Sequence, residues 1–331
     1  MGAEVLRLLA AHPELEVGAV GAATHAGATV GELFPGLGAA YPGLRYETLE
    51  ARDLAGYDVV FCALPHGESQ RLVPELVGTV GHVIDLAADF RLPASVYTTW
   101  YGAAHEAPGL LADFAYGLPE LFRDELRARV HVAAPGCYPT AAGLALAPAL
   151  AAGAVAAEGM VVDAISGVSG RGRALSGPSL YAEANENALA YGLLDHRHTG
   201  EMEHALSRVC GVDVQLLFTP HLVPMTRGIL ATAYARLTSS STTATMLDAY
   251  RDFYVDEPFV RVVEEPPATK STLGSNVAVV TIRVDDRTGT LLAIAALDNL
   301  VKGGSGQAIQ AANALLGLPE ATGLSVVGVA P

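Results

Sequence analysis

The chain has 331 residues, with 20 Lys or Arg against 35 Asp or Glu, a formal net charge of −15. That acidic charge is spread without long like-signed blocks, which argues against nucleic acid as a partner and for a cytoplasmic protein. Three cysteines (Cys62, Cys137 and Cys210), with no CxxC and no zinc-type Cys/His spacing, speak against a disulfide framework and against a metal site.

The first third alternates helix and strand signals. "AEVLRLLAAH" has helical apolar spacing, and "LEVGAVGA" and "YDVVFCALP" read as short buried strands. "ESQRLVPELVG" is helical again, and "HVIDLAADF" is a strand running into a loop. Alternating units of this kind predict a doubly wound parallel sheet, with ligands beyond the carboxyl ends of its strands. The loops at 63–67 and 85–91 therefore draw attention. Residues 132–157 carry no charge, but Pro135, Pro139 and Pro148 interrupt them, so a buried helix is expected rather than a membrane span.

Beyond Cys137 the texture changes. "GMVVDAISGVSG", "DVQLLFTPHLVPM", "RGILATAYARL", "NVAVVTIRVDD" and "TLLAIAALDNL" are longer strands with partial alternation, which predicts an α+β domain on a mixed sheet. The expected division is 1–136 with 305–331 as a Rossmann-type domain, and 137–304 as an α+β catalytic and dimerisation domain.

Cys137 follows a Pro-Gly turn and begins an Ala/Leu-rich helix. A helix N-terminus favours thiolate through its unpaired N–H groups and dipole. Free cysteines are also commonly core residues, and Cys62 and Cys210 read that way. The densest set of acid/base partners is "DHRHTGEMEH", with His196, His198 and Glu201. Thr199 reads as the N-cap of the next helix, and two histidines at i, i+2 in extended backbone point opposite ways. "SGVSGRGR" (166–173) pairs small residues with arginines, a pattern that suits a phosphate.

These residues together resemble the N-acetyl-gamma-glutamyl-phosphate reductase family. The likeness lies in "APGCYPTAAGLALAP" and extends in order through "ALPHG", "DLAADFRL", "YGLPEL", "SGVSGRGR", "HRHTGE", "FTPHLVPMTRGIL", "GSN" and "DNLVKGGSGQAIQ". Aspartate-semialdehyde dehydrogenase is more distantly similar. The resemblance implies an NADPH-dependent reductive dephosphorylation of N-acetyl-L-glutamyl 5-phosphate through a thioester on Cys137, in arginine biosynthesis. It implies His198, ahead of His196, as the acid/base, and Glu201 as the group that orients a histidine or the substrate. Arg91, Glu120, Ser166, Ser169, Arg171 and Arg173 are its substrate-side candidates. Gly2, Thr24, His25, Pro65, His66, Gly67, Gly167, Asn299 and Gly303 are its cofactor-side candidates, Asn299 toward the nicotinamide. A small-molecule acyl phosphate, no metal and a homo-oligomer (dimer or tetramer) complete the expectation.

Three alternatives stand beside it: a carrier-linked aminoadipyl-phosphate reductase of lysine biosynthesis, a nicotinamide-independent Cys/His acyltransferase or hydrolase, and a non-enzymatic regulatory subunit. Two departures from the family are visible. After HRH the family has Thr-Pro-Glu-Ile, whereas this chain has Thr199-Gly200-Glu201-Met202, a more flexible helix start. The opening "MGAEVLRLLAAHPEL" matches only the tail of the family's glycine loop, at Gly2 and Glu4. The expectation is that the sequence starts at an internal methionine, the alternative being a short form that binds NADPH weakly. The loop 21–32 carries Thr24 and His25 but no arginine, so NADPH over NADH rests on the resemblance alone.

Overall fold

The computed structural model describes residues 1–22, 24–173 and 176–329. The chain divides into two compact units.

The first unit comprises Met1–Arg91, His105–Ala134 and Ala308–Leu324. Its elements in chain order are α1 (Gly2–Leu9), β1 (Val20–Gly21), α2 (Val30–Leu33), β2 (Tyr46–Glu47), β3 (Val59–Cys62), α3 (Ser69–Leu76) and β4 (His82–Asp85). After helix α4 (Ala94–Tyr101), which belongs to the other unit, come β5 (Phe114–Tyr116), α5 (Pro119–Ala128) and β6 (His131–Ala133). Strands β3-β4-β6-β5 form a parallel sheet, and β1-β2 form a separate parallel pair. Successive side chains on a strand point to opposite faces, so a sheet covered on both sides needs continuous apolar runs. That requirement is met here: Ile84, Ala115 and Val132 pack into one buried cluster with Val5 and Ala308, while Val83, Phe114 and Ala133 pack into another with Val73 and Leu76.

The second unit comprises Leu92–Ala104, Pro135–Gln307 and the chain from Ser325. Besides α4 it holds α6 (Cys137–Ala151), β7 (Met160–Gly167), α7 (Tyr181–Ala184), β8 (Leu189–Ala190), α8 (His198–Cys210), β9 (Leu216–Val223) and β10 (Ile229–Arg236). Then follow α9 (Thr243–Phe253), β11 (Val260–Val262), β12 (Ala278–Asp285), β13 (Thr290–Leu297) and the start of α10 (Gly306–Leu315). The sheet is mixed, in the order β11-β12-β13-β10-β7-β9-β8, with β7/β9 and β11/β12 parallel and the other pairs antiparallel. Its inner face carries Ile229, Ala231, Ala233 and Ala235, all buried. Such small side chains let a helix lie close, and α6 is buried from Tyr138 through Leu150. Two phenols lock it there: Tyr250 of α9 donates to Ala145 O and Tyr254, at the C-cap of α9, to Leu144 O (2.7 and 2.8 Å).

Residues 92–104, expected with the first domain, group with the second unit. The reason is aromatic packing: the Trp100 indole lies against Gly200, and the Arg197 guanidinium sits 4.9 Å above the Tyr101 ring. A β-carbon at position 200 would meet that indole at 2.2 Å, so the departure from the family's Thr-Pro-Glu is matched by a tryptophan filling the space. The tail from Ser325 joins the same unit by pairing Ser325 O with Asn276 N and Val329 N with Leu273 O.

Candidate active site

Cys137 is the first residue of α6, and Gly136 is its N-cap in extended conformation. The helix is launched by Gly136 O, which accepts from both the amide and the hydroxyl of Thr140 (2.9 Å each). The Gly136 amide donates to Glu201 Oε1 at 2.7 Å, a charge-assisted bond between buried groups. Glu201, expected to orient a histidine or the substrate, thus also fixes the turn that presents the cysteine. First-turn amides of a helix have no intrahelical acceptor, so the residues around Cys137 Sγ can hold developing negative charge. Against the same cysteine lies Gly303, where an added β-carbon would come within 2.9 Å of Cys137 Cβ. Cys62 is different: burial, with Asp85 second, pushes its thiol far up and keeps it protonated.

The two histidines do not point opposite ways. Arg197 is helical (φ −56°, ψ −28°), so the backbone turns between them and α8 begins at His198 rather than after a Thr199 cap. The rings lie 4.9 Å apart, and both pack edge-on against Tyr138, at 5.8 and 6.0 Å. Arg197 leaves on the other side, toward Tyr101. His196 Nδ1 accepts from the His198 amide (3.2 Å), which puts the ring hydrogen of a neutral imidazole on Nε2. Burial among Tyr138, Tyr191 and Phe218 lowers its pKa to about 4, so it is neutral at physiological pH.

Two residues that no sequence pattern singled out complete this cluster. Tyr138 and Tyr191 share a hydrogen bond between their hydroxyls (3.0 Å). Burial raises the Tyr191 pKa, its hydrogen bond to Tyr138 lowers it, and the charges of Cys137 and Arg171 then act in opposite directions. Arg171 stacks 5.3 Å from the centre of the Tyr191 ring. Cys137, Tyr138, Tyr191, His196, His198 and Arg171 therefore occupy one neighbourhood.

The other candidates of this unit take structural roles as well. Ser166 is buried, donates to Gly167 O (3.2 Å) and bonds Tyr138. Gly167 leaves no room for a side chain, since a β-carbon there would fall 2.8 Å from Arg227 N and Met225 O. Asn299 bridges two loops: its Oδ1 accepts from Gly228 N (2.7 Å) and its Nδ2 donates to Ser169 Oγ (3.0 Å). Arg173 is exposed and borders residues outside the described set.

In the first unit, Gly2 opens α1, and its hydrogen side faces Ala63, with 3.6 Å to the Ala63 Cβ for an added β-carbon. The N-terminus of α1 thus abuts the loop after β3 that carries Pro65, His66 and Gly67. A helix N-terminus beside a glycine-bearing loop at the carboxyl end of a parallel strand fits a dinucleotide's phosphates. Thr24 and His25 are exposed in the turn after β1. The sequence of that turn lacks an arginine, but the fold brings one: Arg45 Nη1 donates to Gly27 O at 2.6 Å. Arg91 donates to Leu86 O (3.0 Å). Glu120 is buried and accepts from Gln310 Nε2 (2.9 Å).

The chain matches two family descriptions: semialdehyde dehydrogenase, NAD binding domain, over residues 1–129, and semialdehyde dehydrogenase, dimerisation domain, over residues 137–299. It is 49% identical to the N-acetyl-gamma-glutamyl-phosphate reductase of Symbiobacterium thermophilum, covering 99% of this chain and 95% of that protein. The chain belongs to the N-acetyl-gamma-glutamyl-phosphate reductase family. Reductases of the same name from Desulforamulus reducens and Pseudomonas savastanoi are each 44% identical, over 100% of this chain and 96% of theirs. Among solved structures, aspartate semialdehyde dehydrogenase II from Vibrio cholerae shares the fold, with a TM-score of 0.71 at 16% identity over 95% of each chain. A Candida albicans aspartate semialdehyde dehydrogenase solved with NADP aligns with a TM-score of 0.66 at 15% identity over 95% of each chain. The Rossmann-type sheet and the mixed-sheet unit of this family member are those anticipated from its strand patterns. Among the described residues, no helix is long and apolar enough to cross a membrane.

Proposed function

We propose that this chain reduces N-acetyl-L-glutamyl 5-phosphate to N-acetyl-L-glutamate 5-semialdehyde and phosphate in arginine biosynthesis, through a thioester on Cys137. The observation that carries the reading is Cys137 at the head of α6, its turn held by Glu201, with His196 and His198 packed on the adjacent Tyr138 and Arg171 over Tyr191, in a chain of this family. The Cys137 thiolate attacks the acyl carbon, the carbonyl electrons move onto oxygen, and phosphate leaves as the carbonyl re-forms. NADPH, when bound, supplies the hydride that the thioester carbon takes up. The resulting oxyanion collapses to the aldehyde and the C–S bond electrons return to sulfur.

His196 is neutral with its hydrogen on Nε2, so it suits donation to a carbonyl or phosphate oxygen rather than removal of the thiol proton. That leaves His198 as the base for Cys137. Arg171, held over Tyr191, suits the departing phosphate. The outer face of the mixed sheet supports a homo-oligomer: Leu217 and Tyr234 are exposed there, beside half-buried Val161, Ile165, Leu230 and Ile294. The spread acidic charge and three cysteines without disulfide-framework spacing agree with a cytoplasmic setting.

The test is phosphate-dependent oxidation of N-acetylglutamate semialdehyde with NADP, followed as NADPH absorbance. Wild type should turn over and Cys137→Ser should not, while keeping its fold. Turnover by Cys137→Ser, or none by wild type, would sink the reading.

A further inference from the structure

Asp89 lies in the loop after β4, and its side chain is fully buried. Two residues of the neighbouring loop after β3 donate to it. His66 Nδ1 lies 2.9 Å from Oδ1, and the Gly67 amide donates to both carboxylate oxygens, at 3.0 and 2.9 Å. Strands β3 and β4 are adjacent and parallel, with Cys62 level with Asp85, so both loops leave the same edge of the sheet. The Asp89 backbone is itself anchored, because its carbonyl accepts from His105 Nε2 (2.8 Å). Phe90 then stacks on Phe114 of β5 at 4.2 Å.

A buried carboxylate is costly unless its oxygens are met by donors. Here those donors shape the turn at Gly67, whose φ of +90° few other residues adopt. The loop so fixed is the one against the N-terminus of α1. His66 keeps a third of its side chain exposed (33%), so the ring stays available on the ligand side of the loop.

We propose that Asp89 is a positioning residue for the dinucleotide: it holds the His66–Gly67 turn, and the imidazole tautomer with hydrogen on Nδ1, in the arrangement that receives the cofactor. This rests on the reductase reading above. Asparagine at position 89 has nearly the same volume and still accepts from Gly67. With its carbonyl at the Oδ1 position it also keeps the bond from His66 Nδ1, but its NH2 group then takes the Oδ2 position, 2.9 Å from the Gly67 amide, donor against donor, and the negative charge is lost.

The experiment titrates NADPH into wild type, Asp89→Asn and His66→Ala by cofactor fluorescence, and measures the rate at which iodoacetamide alkylates Cys137. Loss of a charge-assisted anchor predicts an NADPH dissociation constant raised about tenfold or more in Asp89→Asn. His66→Ala should shift it in the same direction. The KM for the acyl phosphate and the Cys137 alkylation rate should stay at wild-type values. Unchanged NADPH affinity in both variants overturns the proposal, and so does a matching change in Cys137 alkylation, which marks a general structural role. If Asp89→Asn does not fold, His66→Ala decides, because its side chain lies at the surface. Failure of wild type itself to bind NADPH would overturn the reductase reading and this proposal together.

Discussion

Replacing Gly303 by alanine tests whether the nucleophile is held by close packing. Gly303 lies in the one-turn π-helix Val301–Ser305 that precedes α10, and its φ is outside the left-handed region, so alanine needs no strained dihedral angle. The obstacle is space. The new β-carbon would sit 2.9 Å from Cys137 Cβ and 3.1 Å from Leu297 Cδ1. Ordinary carbon contacts begin near ~3.5 Å, so about half an ångström must be found. The first contact is a β-carbon fixed to the backbone of α6, which cannot swing away as a flexible side chain would. Overpacking of this kind costs about 1–3 kcal/mol, partly offset by the ~0.4–1 kcal/mol that alanine gains through the unfolded chain. The kinetic effect should be larger, since a ~1 Å misplacement of reacting groups costs on the order of a hundredfold. Half that shift predicts kcat lower by about tenfold with the fold intact. The assay is semialdehyde oxidation beside a thermal melt and Cys137 alkylation. Wild-type kcat would refute the packing argument. So would wild-type alkylation with weakened NADPH binding, which would place the effect of Gly303 on the cofactor.

Two further outcomes follow from the first unit. Asp85 is buried, with Oδ1 accepting from Ser69 Oγ (2.7 Å) and Ala87 N (3.1 Å) and Oδ2 without a hydrogen-bond partner; burial, the largest cause, raises its pKa to about 7. The folded state then binds a proton that the unfolded chain releases near pH ~4, so this group lowers stability as pH rises from ~4 to ~7, by up to about 4 kcal/mol. Asp85→Asn should remove that downward slope, read from urea midpoints across the window; a slope that survives the substitution would refute it. Arg45→Ala removes the cation beside the turn after β1. A lost phosphate contact there should raise the KM for NADPH about tenfold and leave that for NADH unchanged, and equal effects on the two cofactors would exclude a role in reading the 2′-phosphate.

What was legible in the sequence is what repeats or lies close along the chain. The strand runs around Val59, Val83 and Val132 are apolar on successive residues because both faces of their sheet are covered, and that pattern needs no knowledge of the partners. Cys137 was legible because its Pro-Gly turn and its helix are contiguous with it. The link from Gly136 to Glu201 was not, because it joins a turn to a buried side chain 65 residues away. The role of Asp89 is hidden for the same reason: its loop stands out in the sequence, but the aspartate itself does not until His66 and Gly67, more than twenty residues earlier, are seen to donate to it.

The histidine pair shows a different limit. Spacing i, i+2 separates two side chains only if the backbone between them is extended. Arg197 is helical instead, and one pair of dihedral angles brings the rings of His196 and His198 together against Tyr138. Their environments then diverge, because His196 is enclosed by Tyr138, Tyr191 and Phe218 and has its Nδ1 occupied by the His198 amide. Proximity makes both rings candidates, and burial sorts them. A ring kept neutral with its lone pair already engaged is suited to donate, which in the proposed mechanism leaves the proton of Cys137 to its neighbour two residues on.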